Sequence, residues 1–201
     1  MSLTQAVLPG STATVIGLAA FGLVALPASW LVVRHVAVAA HRGAHALTGL
    51  VVYRSVRDGL DVESAAGLRS VPVTLAGYLG PSGFGLGAAK LVGLGYSLLV
   101  LWLVLALLAV LLIGLRRSFG LIIAILAGGI VFVLARYTPV HVQAVCAYSV
   151  AWLLLLSGVR RVIEIGVSGI TGLPRLLWFP LWLTATLAAA FEGARLLIMR
   201  A

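Results

Sequence analysis

Seven apolar stretches, most of them close to twenty residues long, follow one another along this 201-residue chain and leave little choice of fold. A helix needs roughly 20 apolar residues to cross a bilayer core of about 30 Å, where every backbone N–H and C=O must be paired internally. The stretches run from about Thr12 to Val33, His35 to Tyr53, Val71 to Leu94, Tyr96 to Leu115, Phe119 to Ala135, Val140 to Val159 and Leu173 to Met199. Charged residues make up 9% of the chain and hydrophobic ones 62%, whereas a soluble domain carries about 25% charged residues. The expected fold is therefore all-α: a polytopic transmembrane bundle of six or seven helices, one integral domain over residues 1–201, with the lipid bilayer as its first partner. The second and third stretches hold charges and small residues, so either fits a buried or re-entrant segment as well as a span. Pro27 interrupts the first stretch, and Pro81 is expected to kink the third.

The net charge of +9 raises nucleic acid as a partner, but the distribution excludes it. Basic residues sit at the ends of the apolar stretches, at Arg34, Arg54, Arg57, Arg69, Arg116, Arg117, Arg136, Arg160, Arg161, Arg175 and Arg200, as membrane-flanking anchors do. A nucleic-acid surface would gather them in one groove with stacking aromatics. With seven crossings, the connections after the second, fourth and sixth stretches hold eight Arg, against four Lys and Arg on the other side. The positive-inside rule then puts the N-terminus in the cytoplasm. No basic region precedes the first apolar core, so the first stretch is expected to be retained rather than cleaved. The single cysteine, Cys146, rules out an internal disulfide and fits a small packing residue.

Ionisable residues at membrane depth are costly and need a reason. The most informative group is His41-Arg42-Gly43-Ala44-His45. Two histidines four apart lie on one helical face, as in the zinc motif H-E-x-x-H, where the glutamate serves as general base. Arginine stands at the glutamate position, and a guanidinium is neither a base nor a good neighbour for a divalent cation. His41 and His45 are thus candidate, vestigial zinc ligands; the simpler reading has them hydrogen-bonded to backbone or water, with Arg42 snorkelling. Zinc needs at least three protein ligands. Further donors are few: His141, Glu164, and the acidic residues Asp58, Asp61, Glu63 and Glu192, with His35 nearly two turns before His41.

Three other places stand out. Around Asp58-Gly59 the residues from Tyr53 to Ser64 partly alternate, which fits a short surface β-hairpin after the second helix, an edge for an extended peptide, or simply a solvated salt-bridged loop. Gly77 to Lys90 is glycine-rich without the Lys-Ser/Thr of a phosphate loop, so the glycines are expected to let helix backbones approach closely. Glu192 and Arg195, three apart, are expected to pair on one face of the last helix.

The order of these elements resembles a bacterial membrane family related to the site-2-protease-like intramembrane zinc metallopeptidases. The matching residues are His41-Arg42-Gly43-Ala44-His45-Ala46, then Asp58-Gly59-Leu60, then Ala76-Gly77-Tyr78-Leu79-Gly80-Pro81, followed by the helices through Arg116 to Gly120 and Tyr148 to Trp152. The resemblance covers roughly residues 30 to 195 and implies the family's helical fold in a bacterial inner membrane. It implies that His41 and His45 match the zinc-binding histidines and that position 42 matches the catalytic glutamate; the family's later aspartate ligand has no counterpart. The expected function is that of a catalytically inactive relative, a pseudoenzyme without a cofactor that binds a membrane-protein partner without cleaving it. Two alternatives stand beside it: an active zinc metallopeptidase recruiting Glu63 or Glu164 as base, and a small transporter with His41, Arg42 and His45 along a polar path.

Overall fold

The computed structural model describes residues 7–61, 70–114, 118–165 and 175–199. They form eight helices: α1 (Gly10–Ala25), α2 (Pro27–Val52), α3 (Val56–Leu60), α4 (Ser70–Gly93), α5 (Ser97–Gly114), α6 (Ser118–Tyr137), α7 (Val140–Ile165) and α8 (Arg175–Met199), with no strand among the described residues. The last five apolar stretches of the sequence correspond to α4 to α8. Two described helices, α7 over Val140–Glu164 and α8 over Phe179–Met199, are each long and apolar enough to cross a membrane, and α1 with α2 passes the same test as one bent pair. Apolar side chains such as Ile122, Leu126, Ile130 and Val133 on α6 are exposed, which in a membrane protein is the lipid-facing surface.

The first two stretches are divided differently from expectation. The stretch from Thr12 to Val33 breaks at Leu26, where α1 and α2 diverge by 104°, and α2 then runs unbroken through both histidines. Proline is the cause: it disfavours helical geometry in the residue before it, and Leu26 adopts φ −74°, ψ 132°. Pro27 then opens α2, the helical position where its missing N–H costs nothing. Carbonyls left at the end of α1 are satisfied by side chains. Ser29 Oγ donates to Leu23 O at 2.7 Å, and an Arg160 guanidinium N–H from α7 donates to Val24 O. Arg160 also lies over the Trp30 ring, 4.5 Å from its centre.

The hairpin expected around Asp58-Gly59 is instead the short helix α3. Arg54 turns the chain through the left-handed region (φ 56°), and Ser55 caps α3 by accepting from the Asp58 N–H. Gly59 is a contact residue rather than a turn residue: a Cβ there would strike the His45 carbonyl and the Cα of Gly49, so α3 sits directly on the α2 backbone. The segment 62–69, with Glu63, Ser64 and Arg69, lies outside the described residues, as do Arg116, Arg117 and the structure around 166–174.

The core is organised by α7, which packs against α1, α4 and α8. Trp152 spans to α1, its Nε1–H donating to Ala13 O at 3.0 Å while its ring covers Gly17. Leu155, fully buried, fits against Gly85 of α4 and Gly193 of α8, and Gly158 admits Ser82. α4 and α7 thus run antiparallel through small-residue contacts, the device by which helices associate where no hydrophobic driving force operates. At the far end, Gln143 of α7 donates to Ala135 O and Thr138 O, both at 3.0 Å, closing the turn after α6.

Candidate functional site

The histidines meet as their spacing requires. His41 Nε2 and His45 Nε2 are 3.0 Å apart, the rings edge-on at 82°, and His45 is buried. What orients them comes from α4. His41 Nδ1–H donates to the Gly77 carbonyl at 2.7 Å. In a regular helix that carbonyl would accept from the N–H four residues on, but residue 81 is proline and has no N–H to give. Pro81 lies inside α4 without ending it. It therefore leaves the Gly77 carbonyl free for the imidazole, so the proline supplies an acceptor for the site. With Nδ1 protonated, His41 Nε2 carries the lone pair, and the short contact assigns the proton between the rings to His45 Nε2.

The glycines complete the fit. A Cβ at Gly77 would strike the His45 ring at Nε2, and one at Gly80 would strike Ala44 and the Ala40 carbonyl. α4 can approach α2 this closely only because both positions lack a side chain. Tyr78, next along α4, presents its ring edge-on to His41 at 5.7 Å and stacks on Trp182 of α8 at 6.2 Å.

Arg42 projects to the side of α2 and is exposed, as its helical position demands. A second cation, Arg161 of α7, acts electrostatically on His41, Tyr78 and Arg42. The sequence places Arg160-Arg161 as a membrane-flanking pair; Arg160 turns to the α1–α2 elbow, while Arg161 is near enough to His41 to act on it electrostatically. Successive helical residues diverge by about 100°, so a doublet at this point of α7 had to send its members to different neighbours.

The remaining candidates do not join the pair. His141 opens α7, twenty residues before Arg161 and so about 30 Å along the helix axis. Glu164 pairs with Arg160 at 3.0 Å, and His35 is exposed on α2. Glu192 and Arg195 pair with each other at 2.9 Å on α8, as expected. Asp58 and Asp61 stay on α3 and its C-cap, and Glu63 is outside the described residues.

The fit of these residues to zinc divides cleanly. Two nitrogens bound tetrahedrally at 2.0–2.1 Å would stand about 3.3 Å apart, close to the 3.0 Å seen between the two Nε2 atoms. A backbone carbonyl on the opposite ring nitrogen is the usual support of a ligating histidine. The rest is missing: no three His, Cys, Asp or Glu converge among the described residues, and two guanidinium groups stand where a divalent ion would be repelled. The described residues hold half of a zinc site and do not complete it.

A helical bundle with an HxxxH pair on one helix, braced by a Gly-Tyr-x-x-Pro segment of another, fits the site-2-protease-like resemblance read from the sequence. The chain belongs to the Peptidase M50B-like family, whose sequence model matches residues 14–193. No curated protein and no solved structure shows significant similarity to it.

Proposed function

We propose that this chain is a multi-pass membrane protein that keeps the scaffold of a site-2-type metallopeptidase, does not hydrolyse peptides, and acts by binding a membrane partner. The observation that carries this reading is the pair of cations at the histidines: Arg42 occupies the position of the general base, and Arg161 faces His41 from α7. Without a positioned carboxylate, water activation loses about 10²–10⁴-fold in general-base assistance alone.

The bundle has somewhere to receive a partner. A groove of about 400 Å³ between α2 and α4 is lined by Ala44, Leu47, Thr48, Leu79, Gly80 and Phe84. An apolar cavity of about 380 Å³ adjoins it where α4, α5 and α7 meet, the two sharing Leu47, Gly83 and Phe84. At Gly83 and Gly87 a Cβ would meet nothing, so the α4 backbone is open to an apolar occupant. Helix lengths support several crossings beyond α7 and α8: at 1.5 Å per residue, α4, α5 and α6 extend about 36, 27 and 30 Å.

The test is metal content and cleavage together. Protein purified with added zinc is expected to retain well under one equivalent and to leave transmembrane peptides intact. Zinc near one equivalent, lost in His45→Ala, with chelator-sensitive cleavage, would overturn the proposal. Arg42→Glu is expected to raise zinc affinity by removing a cation and adding a carboxylate beside the histidines.

A second reading, an active metallopeptidase that takes its base or third ligand from elsewhere, draws on the convergence of the two Nε2 atoms at 3.0 Å and on the Gly77 carbonyl behind His41. The same zinc measurement separates the two.

A further inference from the structure

Among the described residues, the basic cluster where α2, α4 and α7 meet holds more positive charge than the carboxylates around it offset. Among the described residues the one carboxylate acting on Arg161 is Glu164, and its Oε1 is already held by Arg160 Nε at 3.0 Å. Arg160 is committed elsewhere, through Val24 O and the Trp30 ring. Arg161 Nε is buried and makes no hydrogen bond among the described residues. Arg42 adds a further positive charge, and the Tyr78 ring stands beside His41. An uncompensated guanidinium near membrane depth is costly, so a counter-anion at this point is favoured. Guanidinium offers a planar fork of donors, and phosphate oxygens are among its best-matched acceptors.

Position selects the anion. Arg161 stands just past the apolar run that ends at Val159, and the Tyr78–Trp182 stack packs on the same side of the bundle, as aromatic residues do at membrane interfaces. The acceptor that layer supplies is the lipid phosphate, and basic pockets between membrane helices bind anionic headgroups in this way. We propose that Arg161, with Arg42 and Tyr78, forms a receptor for the phosphate group of an anionic phospholipid. This names the chemistry of one membrane component the bundle holds, and rests on the proposed function only in reading the bundle as a binding scaffold.

Full-length protein in detergent is titrated with dioleoylphosphatidylglycerol or dioleoylphosphatidylcholine, and retained lipid is counted by native mass spectrometry, with and without inorganic phosphate. Phosphatidylglycerol is expected to bind selectively. Arg161→Gln should weaken it about tenfold or more, the worth of a charge-assisted hydrogen bond, and Arg161→Lys should keep part of the affinity. Arg195→Gln, at an exposed pair on α8, should leave it unchanged. Displacement of the lipid by millimolar inorganic phosphate would support the receptor with the free anion as its ligand. Equal retention of both lipids, or equal affinity in wild type and Arg161→Gln, overturns the inference. Should Arg161→Gln not fold, the exposed Arg42→Gln variant decides: a drop of about threefold supports the receptor, and an unchanged affinity overturns it. Zinc is measured on the same samples. Zinc at one equivalent alongside selective lipid binding removes the pseudoenzyme reading alone; absence of both zinc and lipid selectivity removes this inference alone.

Discussion

Replacing Gly77 by alanine tests whether α4 or α2 decides the geometry of the histidine pair. The new Cβ would stand 2.6 Å from His45 Cε1 and 2.8 Å from Cδ2, where ordinary contact begins at 3.4 Å. Relief by ring movement alone requires His45 to retreat by more than about 0.8 Å, the difference between 3.4 and 2.6 Å, because its Nε2 stands nearer to the new Cβ than Cε1 does. If the ring moves along the line between the Nε2 atoms, a shift of that size stretches their 3.0 Å separation beyond hydrogen-bonding range. Overpacking of a closely fitted site costs about 1–3 kcal/mol, while alanine in place of glycine inside a helix returns about 1 kcal/mol. The net expectation is a loss of about 0–2 kcal/mol. Gly83→Ala is the matched control, since a Cβ there meets nothing within 4 Å and only the helix-propensity gain remains. The two variants should therefore differ by about 2 kcal/mol in stability, read by detergent-denaturant unfolding. Imidazole ¹⁵N spectra should show the His41–His45 hydrogen bond broken in Gly77→Ala and intact in Gly83→Ala. Equal stabilities with unchanged imidazole signals would refute the claim that α4 sets the pair.

Three further outcomes follow from particular interactions. Pro81→Ala returns an N–H to α4 that competes for the Gly77 carbonyl, so the single His41 tautomer should give way to a mixture in ¹⁵N spectra; an unchanged tautomer would show that Pro81 does not free that carbonyl. Arg160→Ala removes the bond to Val24 O and the stacking on Trp30, and should destabilise by about 1–3 kcal/mol with increased proteolysis at the α1–α2 elbow; little of that comes from the partly exposed Glu164 pair. Glu192→Gln breaks an ion pair that is about half exposed on both sides, and its unfolding midpoint should stay close to that of wild type.

How far the sequence revealed this arrangement depended on whether a signal was local. Run length and hydrophobicity located α4 to α8, because a helix in lipid needs little beyond an unbroken apolar run. The HxxxH spacing placed both imidazoles on one face, because 3.6 residues per turn leaves no alternative. Periodicity was less reliable where proline and glycine act through a neighbour. Pro27 and Pro81 are chemically identical, yet the first separates two helices by 104° and the second stays inside one. The difference lies outside the local sequence: Pro27 sits where Ser29 and a distant arginine take up the loosened carbonyls, whereas the carbonyl that Pro81 frees is taken by His41. Gly59 likewise carried the composition of a turn and serves as a helix-to-helix contact. Arg161 was out of reach of the sequence altogether, since nothing in Arg160-Arg161 tells which guanidinium faces which helix.

The parts that hold the histidines are separable from the parts that would use them. Bracing is done by backbone features, namely the Gly77 carbonyl freed by Pro81, the missing side chains at Gly77 and Gly80, and α3 seated on Gly49 through Gly59. None of these depends on what charge stands nearby. The charge is set by Arg42 and Arg161, and changing those two positions would alter the field without touching the brace. A scaffold of this kind tolerates inversion of its electrostatics: with carboxylates at the two positions the same imidazoles would favour a cation beside them, and with guanidiniums an anion. Arg161→Asp should consequently do what Arg42→Glu does alone only in part, bringing a third donor, a carboxylate oxygen, toward the two imidazole nitrogens from α7. The double variant is expected to bind zinc more tightly than either single one, by a factor exceeding the product of their separate gains if both carboxylates reach one ion. Affinities that merely multiply would mean that α7 stands too far from His41 and His45 to share a ligand with them.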